Sequence, residues 1–430
     1  MTCLISAKSV GFLDSNTARL AKRNRRKKIA LIVFATLGIA ISIFFAVALK
    51  GGGVAYAQSN DKTAEEIEKE LSDAVNDAID RLDTKSLQEF LNALSAEQKQ
   101  ALSINDVKAA LKALVSGDTD NFFERVLELL AASAGKYFAG FLPSFITIIV
   151  ICLLKNLLGG MTSDFLNNST TEVVHIVCYC SIIIVLMTGI VGVIKTVTDT
   201  INGLAAFASA VFPVLLTLLS MLGGTTSVAT YSPLMAVLSS GVIKLITAVI
   251  VPAFVATIVF SVVGNISKNV KLDKLTKLIK SASTWLIGIV FGLFATFLTA
   301  QGITGGIVDK FGFNVAKFAL SSYVPILGGY MSDGFDLLTA SLVLVKNVFG
   351  FTGAIVLIAV VMFPLVRVVT FTLALRLTSA IAEPIGDARV AGLLNSVAKN
   401  MNLLITALAG VAFMFFILIM LLIGSCNMGL

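Results

Sequence analysis

Six apolar runs of about twenty residues each dominate the sequence after residue 136. They cover residues 137–158, 173–194, 241–263, 283–302, 353–375 and 401–424. Each run approaches or exceeds the roughly 20 residues that an α-helix needs to cross the hydrocarbon of a bilayer. Hydrophobic residues make up 57% of the 430 residues and charged residues only 14%, so the chain lacks the charged shell of a soluble domain. The pattern predicts an all-α integral membrane protein with about six transmembrane helices.

The first 57 residues have the pattern of a secretory signal. A basic cluster precedes an apolar stretch over residues 29–49, and the segment ends in a small-residue pattern formed around Ala55 and Ala57. Signal peptidase cleaves after such patterns, so we expect the mature chain to start at Gln58. The apolar stretch is longer than the usual 7–15 residues, which leaves an uncleaved anchor as the alternative. In both cases the positive flank stays in the cytoplasm and the following residues lie outside it.

Residues 58–135 are expected to form a small helical domain in the extracytoplasmic space. The segment is acidic, with 16 acidic and 8 basic groups. Three capping boxes predict helix starts, and they pair Thr63 with Glu66, Ser86 with Glu89 and Ser95 with Gln98. The domain is either a solvated helical spacer or an interaction module, and the sequence leaves both interpretations open.

Two further apolar regions, residues 203–238 and 315–350, are too long for one crossing. The first is interrupted by Pro213, Gly223 and Gly224, and the second by Pro325, Gly328 and Gly329. A shift of 112 positions (325 − 213) superposes Pro213 on Pro325, and it also superposes Gly241 on Gly353 and Pro252 on Pro364. The chain has only 7 prolines, so this register predicts an internal repeat.

The predicted order of the membrane body follows from this repeat. Residues 136–202 would form the first two transmembrane helices, residues 203–302 repeat A and residues 315–424 repeat B. The linker inside repeat A carries Lys268, Lys271, Lys274, Lys277 and Lys280. Positive loops stay in the cytoplasm, and the basic linker of repeat B, residues 376–399, can share that side only if each interrupted region is re-entrant from the outer side. The prediction is a parallel repeat with two re-entrant segments.

The sequence carries no motif for catalysis or for a cofactor. It lacks a phosphate-binding GxxxxGK[ST] loop and a GxSxG elbow. The single histidine, His175, opens an apolar helix, and the 5 cysteines have no metal-binding spacing. We therefore expect no enzyme activity, no cofactor and no metal.

Interrupted helices at matching positions of two repeats are the best sequence indication of a transport site. Their unpaired backbone groups must face protein or a water-filled cavity, because lipid cannot satisfy them. The second region adds Asp333, Asp336 and Lys346 near its interruption. One hypothesis places the two interruptions at a central conduit with both aspartates at its outer mouth. The alternative is a surface loop for the aspartates and a local partner for Lys346.

The start of the fourth apolar segment also predicts an amphipathic helix. Leucines alternate with lysines over residues 272–280, so that one side is apolar and the other is cationic. Such a helix lies on the inner leaflet of the membrane or provides a dock for a cytoplasmic partner. The sequence leaves both interpretations open.

Three stretches resemble the stage III sporulation protein AE family. They are Phe-Pro-Val-Leu-Leu-Thr-Leu-Leu at 212–219, Tyr-Val-Pro-Ile-Leu-Gly-Gly-Tyr-Met-Ser-Asp-Gly at 323–334 and Leu-Val-Lys-Asn-Val-Phe-Gly at 344–350. The order of signal, acidic helical domain and multi-pass body is similar as well. The resemblance implies a multi-pass subunit of a sporulation-specific, secretion-like channel complex, located in the mother-cell membrane around the forespore and needed for late forespore development.

The resemblance also implies partners. They are a secretion-type ATPase and ring-forming proteins of the intermembrane space. The apolar composition makes the lipid bilayer a further partner, and the charge distribution provides no basic surface suited to nucleic acid, so no nucleic acid is expected. The resemblance implies no catalytic or ligand-binding residues. Two other functions stay open at this point: an independent secondary transporter with its site between the two repeats, and a non-conducting membrane platform for ring-forming partners.

Overall fold

The structure is a computed structural model that describes the backbone of residues 64–115, 122–165, 168–266, 272–323, 328–385 and 388–426. These residues belong to one compact unit. Within them the chain forms helices and no strand, which confirms the predicted all-α class. Several residues that carry predictions lie outside these ranges. They are Ala55 and Ala57 of the signal, the predicted N-cap Thr63, Pro325, Lys268 and Lys271.

Four short helices open the described chain. They are α1 (Ala64–Arg81), α2 (Lys85–Asn92), α3 (Ala96–Leu102) and α4 (Val107–Val115). Each is amphipathic and buries an apolar face that includes Val75, Ile79, Leu87, Leu91 and Leu111. We call this segment the helical domain.

One predicted capping box is confirmed and another is wrong. The backbone N–H of Gln98 donates to Oγ of Ser95 over 3.3 Å, and the N–H of Ser95 donates to Oε1 of Gln98 over 3.0 Å. Ser86 caps nothing, because α2 begins one residue earlier, at Lys85, and Ser86 lies inside its first turn.

Further helices follow the helical domain, and most of them are long. They are α5 (Phe122–Phe165), α6 (Asn168–Met221), α7 (Thr225–Ala236), α8 (Ile243–Leu245), α9 (Val251–Ile266), α10 (Asp273–Tyr323), α11 (Gly328–Ala382) and α12 (Ala388–Gly424). Two π-helical turns, Val237–Val242 and Ile246–Ile250, join α7, α8 and α9 into one helical stretch. Helix α5 runs without a break through residue 135, the predicted boundary of the helical domain.

Six stretches are long and apolar enough to cross a membrane. They are Arg125–Leu158, Ile176–Met221, Thr225–Asn265, Asp273–Thr299, Asp336–Ala382 and Ala388–Gly424. The predicted number of transmembrane helices is therefore confirmed. Three of them, Ile176–Met221, Thr225–Asn265 and Asp336–Ala382, are longer than the predicted apolar runs because they include residues of the interrupted regions.

The region of residues 203–238 forms a helical hairpin. Pro213 lies inside α6 and Pro233 inside α7, and neither ends its helix. Residues 222–224 alone make the turn. Gly223 has φ of 78°, which favours glycine, and a Cβ added to Gly224 would lie 2.8 Å from Sγ of Cys426. The re-entrant course and the internal repeat stay predictions.

Helices α11 and α12 form the centre of the bundle and run antiparallel. Oγ of Ser379 donates to the carbonyl of Ala391 near one end of the pair, and Nζ of Lys346 donates to the carbonyl of Ile423 near the other. Helices α5 and α6 pack on α11, where Phe371 contacts the ring of Phe141 at a centroid distance of 5.0 Å.

Candidate functional site

The helical domain is joined to the membrane body by a hydrogen bond that replaces a missing one. Pro364 lies inside α11 and has no N–H, so the carbonyl of Val360, four residues earlier, loses its helical donor. Nε2 of Gln98 donates to this carbonyl over 3.0 Å. The side-chain oxygen of Gln98 therefore takes part in the cap of α3, and its side-chain nitrogen donates to the free backbone carbonyl of α11.

Charged and aromatic groups surround this hydrogen bond. Glu97 forms an ion pair of 2.7 Å with Lys136 and accepts a hydrogen bond from the hydroxyl of Tyr137. The guanidinium carbon of Arg367 lies 5.9 Å from the centroid of the Tyr137 ring, within cation–π range. The hydrogen bonds from Lys136 and Tyr137 hold the pKa of Glu97 below its ordinary value. We call Glu97, Gln98, Lys136, Tyr137 and Arg367 the docking cluster.

Apolar contacts extend the same junction to α6. The rings of Phe90 in α2 and Phe207 in α6 meet edge to face at a centroid distance of 5.6 Å. The buried residues Val75, Leu87 and Leu91 belong to the core that also includes the long helices. The helical domain thus packs directly on the membrane body and does not hang from it as a free spacer.

The residues predicted for a conduit do not all come together. Asp336 is exposed near the start of α11. Lys346 is fully buried ten residues further along the same helix. Gly328 and Gly329 form the first turn of α11, while the side chain of Asp333 lies outside the described part of the chain.

Lys346 binds the end of the last helix. Its Nζ donates to the carbonyl of Ile423 over 2.8 Å and to the carbonyl of Ser425. The last carbonyls of a helix lack intrahelical partners and carry partial negative charge, so an ammonium group stabilises them. These contacts agree with the alternative in which Lys346 has a partner within the protein, here the backbone carbonyls at the end of α12.

The turn at Gly223 and Gly224 meets the same helix end. The hydroxyls of Tyr231 and Ser425 are 3.2 Å apart, and the position of a Gly224 Cβ touches Cys426. The structure thus brings the predicted glycine pair and Lys346 together at the C-terminus of α12, which we call the terminal cluster. It does not bring Pro213 into this cluster, because that proline lies on the exposed side of α6, two turns and more before the glycines.

The predicted positive loop is partly helical. Helix α10 begins at Asp273, and Lys274 and Lys277 are exposed in its first turns. Nζ of Lys280 donates to the backbone carbonyl of Lys399 in α12.

His175 lies in α6, but its side chain is outside the described part. Among the described residues, no group of His, Cys, Asp and Glu could hold a metal ion.

Sequence patterns missed most of the docking cluster. The sequence identifies Gln98 only as a capping residue, Arg367 only as a charge on an apolar helix, and Glu97 and Tyr137 not at all. The one available clue was Pro364, because a proline in a buried helix predicts a carbonyl that needs a donor. That clue does not say which donor supplies it.

Comparison with known proteins decides the family. A family profile described as stage III sporulation protein AE matches residues 105–426, which is well over half of the chain. The chain belongs to the stage III sporulation protein AE family. Stage III sporulation protein AE of Bacillus subtilis (strain 168) is 25% identical over 354 residues, which cover 81% of this chain and 87% of the relative. No solved structure matches the chain significantly.

Family membership confirms the resemblance found in the sequence. Together with the six long apolar helices, it identifies a multi-pass sporulation membrane protein. The matched region extends from α4 of the helical domain to the last described residue of the terminal cluster. Both clusters therefore lie wholly or mostly within the family region.

Proposed function

We propose that the chain is the multi-pass membrane subunit of a secretion-like channel complex that links the mother cell to the forespore. In this proposal it resides in the mother-cell membrane around the forespore, with the helical domain in the intermembrane space. It has no catalytic activity of its own and works with a secretion-type ATPase and ring-forming proteins. Late forespore development depends on it.

Family membership is the observation that carries this proposal. The packing of the helical domain supports it, because the domain offers an acidic surface that is fixed relative to the membrane helices. Exposed carboxylates on α1 include Glu70, Asp73, Asp77 and Asp80. Asp77 and Asp80 form ion pairs with Arg81 and Lys112.

Deletion of the gene tests the biological role. We expect vegetative growth to be unchanged and sporulation to stop after engulfment, because the chain would act only once the forespore is enclosed. The measurements are growth rate and the count of heat-resistant spores, with a complemented strain as the control. A deletion strain that forms a normal number of heat-resistant spores contradicts the proposal.

A non-conducting platform is the second candidate function. The observation that favours it is the dense packing of α11 and α12, whose inward side chains include Val356, Leu375, Val397, Val411 and Phe415, all nearly inaccessible to solvent. A shallow groove beside α12 has apolar walls, formed by Val242, Leu245, Ile246, Ile287, Val290, Phe291, Ala407, Val411 and Met414. Neither feature offers a polar path.

Permeation separates the two candidates. The full chain is reconstituted in liposomes loaded with small polar dyes, alone and with its sporulation partners. A conduit subunit increases dye release in at least one of these states. A platform recruits the partners to the liposomes and leaves dye release at the level of protein-free vesicles.

A further inference from the structure

The central helix pair has one weak point, which is the turn around the proline of α11. Pro364 lies in the interior of α11, where a proline removes one backbone hydrogen bond and makes a bend easy. Helix α11 is nevertheless continuous from Gly328 to Ala382. Its antiparallel neighbour α12 contains no proline. Any bending of this pair is therefore expected at the turn of α11 that contains Pro364.

A small apolar cluster surrounds this turn. It buries Phe363 together with Ala101 of α3 and with Val126 and Leu130 of α5. The cluster is separate from the main core of the molecule. Helix α3 and the first turns of α5 thus enclose the proline turn with a satellite core of their own.

Polar contacts hold the same turn on either side of the proline. Four residues before it, the carbonyl of Val360 accepts a hydrogen bond from Nε2 of Gln98 over 3.0 Å. Three residues after it, Arg367 lies over the ring of Tyr137, whose hydroxyl donates to Glu97. Glu97 and Gln98 are neighbours in α3, so one short helix braces both sides of the proline. We call α3 and residues 122–137 of α5 the α3–α5 clamp.

The contacts of the α3–α5 clamp are of a kind that opens locally. Its ion pair joins Glu97 to Lys136, whose side chain is 72% exposed, and exposed ion pairs contribute little to stability. Its apolar cluster has only four buried side chains. Segments with few buried contacts open before the rest of a protein. The clamp can therefore leave α11 while the main core stays folded.

We propose that the α3–α5 clamp is a conformational switch of the central helix. In the closed state Gln98 supplies the donor that Pro364 lacks, and α11 stays unbroken. When α3 leaves the turn, the carbonyl of Val360 loses this donor and residues 360–367 become a hinge. The two halves of α11 remain tied to α12 near their far ends, through Lys346 and Ser379. Bending therefore moves the middle of α11 relative to α12, and a partner that captures α3 would hold the bent form.

Hydrogen exchange in the purified full chain tests the hinge. The substitution Gln98→Glu keeps an acceptor for the cap of α3 and removes the donor for the carbonyl of Val360. We expect the backbone amides of residues 357–369 to exchange about tenfold faster, because an unpaired buried carbonyl shifts an opening equilibrium by roughly that factor. Pro364→Ala restores a helical N–H for the same carbonyl. In that background Gln98→Glu should leave exchange of residues 357–369 unchanged.

Two further variants keep the test decisive. Pro143→Ala removes a proline from the exposed side of α5, and it should not suppress the effect of Gln98→Glu. Thermal unfolding checks that each variant is folded. If Gln98→Glu does not fold, Lys136→Gln replaces it, since loss of the ion pair should speed exchange of residues 357–369 roughly two- to threefold. This increase should also disappear in the Pro364→Ala background.

Spore formation tests whether the cell uses the hinge. A strain with Pro364→Ala should form several-fold fewer heat-resistant spores at an unchanged amount of membrane protein, because α11 can no longer bend there. Pro143→Ala should form a normal number. This readout rests on the proposed function, whereas the exchange readout does not, so a deletion strain that sporulates normally would remove only the former.

Three results would overturn the switch. Unchanged exchange of residues 357–369 in Gln98→Glu would show that no hinge forms. Equal acceleration with and without Pro364 would show that Gln98 only stabilises the helical domain. A normal spore count for Pro364→Ala, in a species whose deletion strain does not sporulate, would show that the clamp is a fixed structural contact.

Discussion

A backbone carbonyl without a donor is costly inside an apolar protein, and the docking cluster contains such a carbonyl. The Val360 carbonyl is freed by Pro364 and satisfied by Gln98, a residue 262 positions away in sequence. The same glutamine completes the Ser95 capping box. One side chain therefore couples the start of α3 to the middle of α11, and its loss affects both.

The substitution Gln98→Glu separates these two roles. Glutamate still accepts the Ser95 N–H in a capping box, but it cannot donate to the carbonyl of Val360. We expect an unsatisfied buried carbonyl to cost roughly 1–3 kcal/mol and to loosen the helical domain. Faster hydrogen exchange in α1–α4 would show this. The control is Gln100→Glu on the exposed side of α3, and equal exchange in the two variants would contradict the role of Gln98.

Lys346 has a comparable role at the terminal cluster. Its substitution by methionine keeps the length of the side chain and removes the donor for the carbonyls of Ile423 and Ser425. We expect the end of α12 to fray, because these carbonyls then lack a partner. N-ethylmaleimide should label Cys426 several-fold faster in a chain whose other cysteines are serine. Lys244→Met, at an exposed position, should leave the labelling rate unchanged.

At the scale of elements, the hairpin of α6 and α7 depends on its two glycines more than on its prolines. A side chain at Gly224 would collide with Sγ of Cys426 and with the carbonyl of Leu219, at 2.8 and 2.9 Å. Gly224→Ala should therefore lower the melting temperature of the purified protein by several degrees. Gly203→Ala, where a Cβ meets nothing within 4 Å, is the matched control. A melting temperature for Gly224→Ala that equals the control would contradict this view of the turn.

The elements that the sequence predicted well are those that depend on local pattern. Six crossings follow from apolar runs, and the Ser95 cap follows from a four-residue motif. Pro213 misled the prediction, because it was counted as an interruption. A helix in an apolar setting keeps its form around a proline, since an open turn would free more carbonyls than the one that proline frees.

The docking cluster could not be predicted for a different reason. Its hydrogen bond joins residues that are far apart in sequence, and no periodicity records which donor meets which carbonyl. Lys346 shows the same limit. Its burial in an apolar run predicted an important lysine, but the partners at the end of α12 are backbone atoms, which every residue offers equally.

At the scale of the whole molecule, the long helices exceed the thickness of a membrane. The apolar stretch of α6 has 46 residues, about 69 Å at 1.5 Å per residue, against about 30 Å of hydrocarbon. The exposed side chains change along it. They are large and apolar at Ile176, Val177, Ile184 and Val191, and small or polar at Asn202, Ala206, Ser209, Thr217 and Ser220, with the terminal Met221 as the exception.

The docking cluster lies at the level of this change. Phe371 contacts both the position of a Gly189 Cβ in α6 and the ring of Phe141 in α5. One turn beyond these contacts lie Lys136 and Tyr137 in α5 and Arg367 in α11, and Lys195 follows within two turns of α6. Charged and aromatic side chains at one level on three helices are typical of a membrane interface. The helical domain packs beside this level through Glu97 and Gln98.

We therefore predict that α6 leaves the hydrocarbon near Lys195, on the side of the helical domain. Single cysteines are placed at Ile184, Lys195, Asn105 and Lys274 in a cysteine-free chain produced in vegetative cells, where the outer side of the membrane faces the medium, and intact cells are treated with an impermeant maleimide. Lys195→Cys and Asn105→Cys should react from outside, Lys274→Cys only after permeabilisation, and Ile184→Cys in neither case, because lipid surrounds it. The upper half of α6 and the turn at Gly223 would then project beyond the bilayer, where the small and polar residues can face water or a partner. Reaction of Lys195→Cys and Lys274→Cys from the same side would contradict this placement. If Lys195→Cys is not labelled while Thr225→Cys is, the full length of α6 lies in the membrane instead.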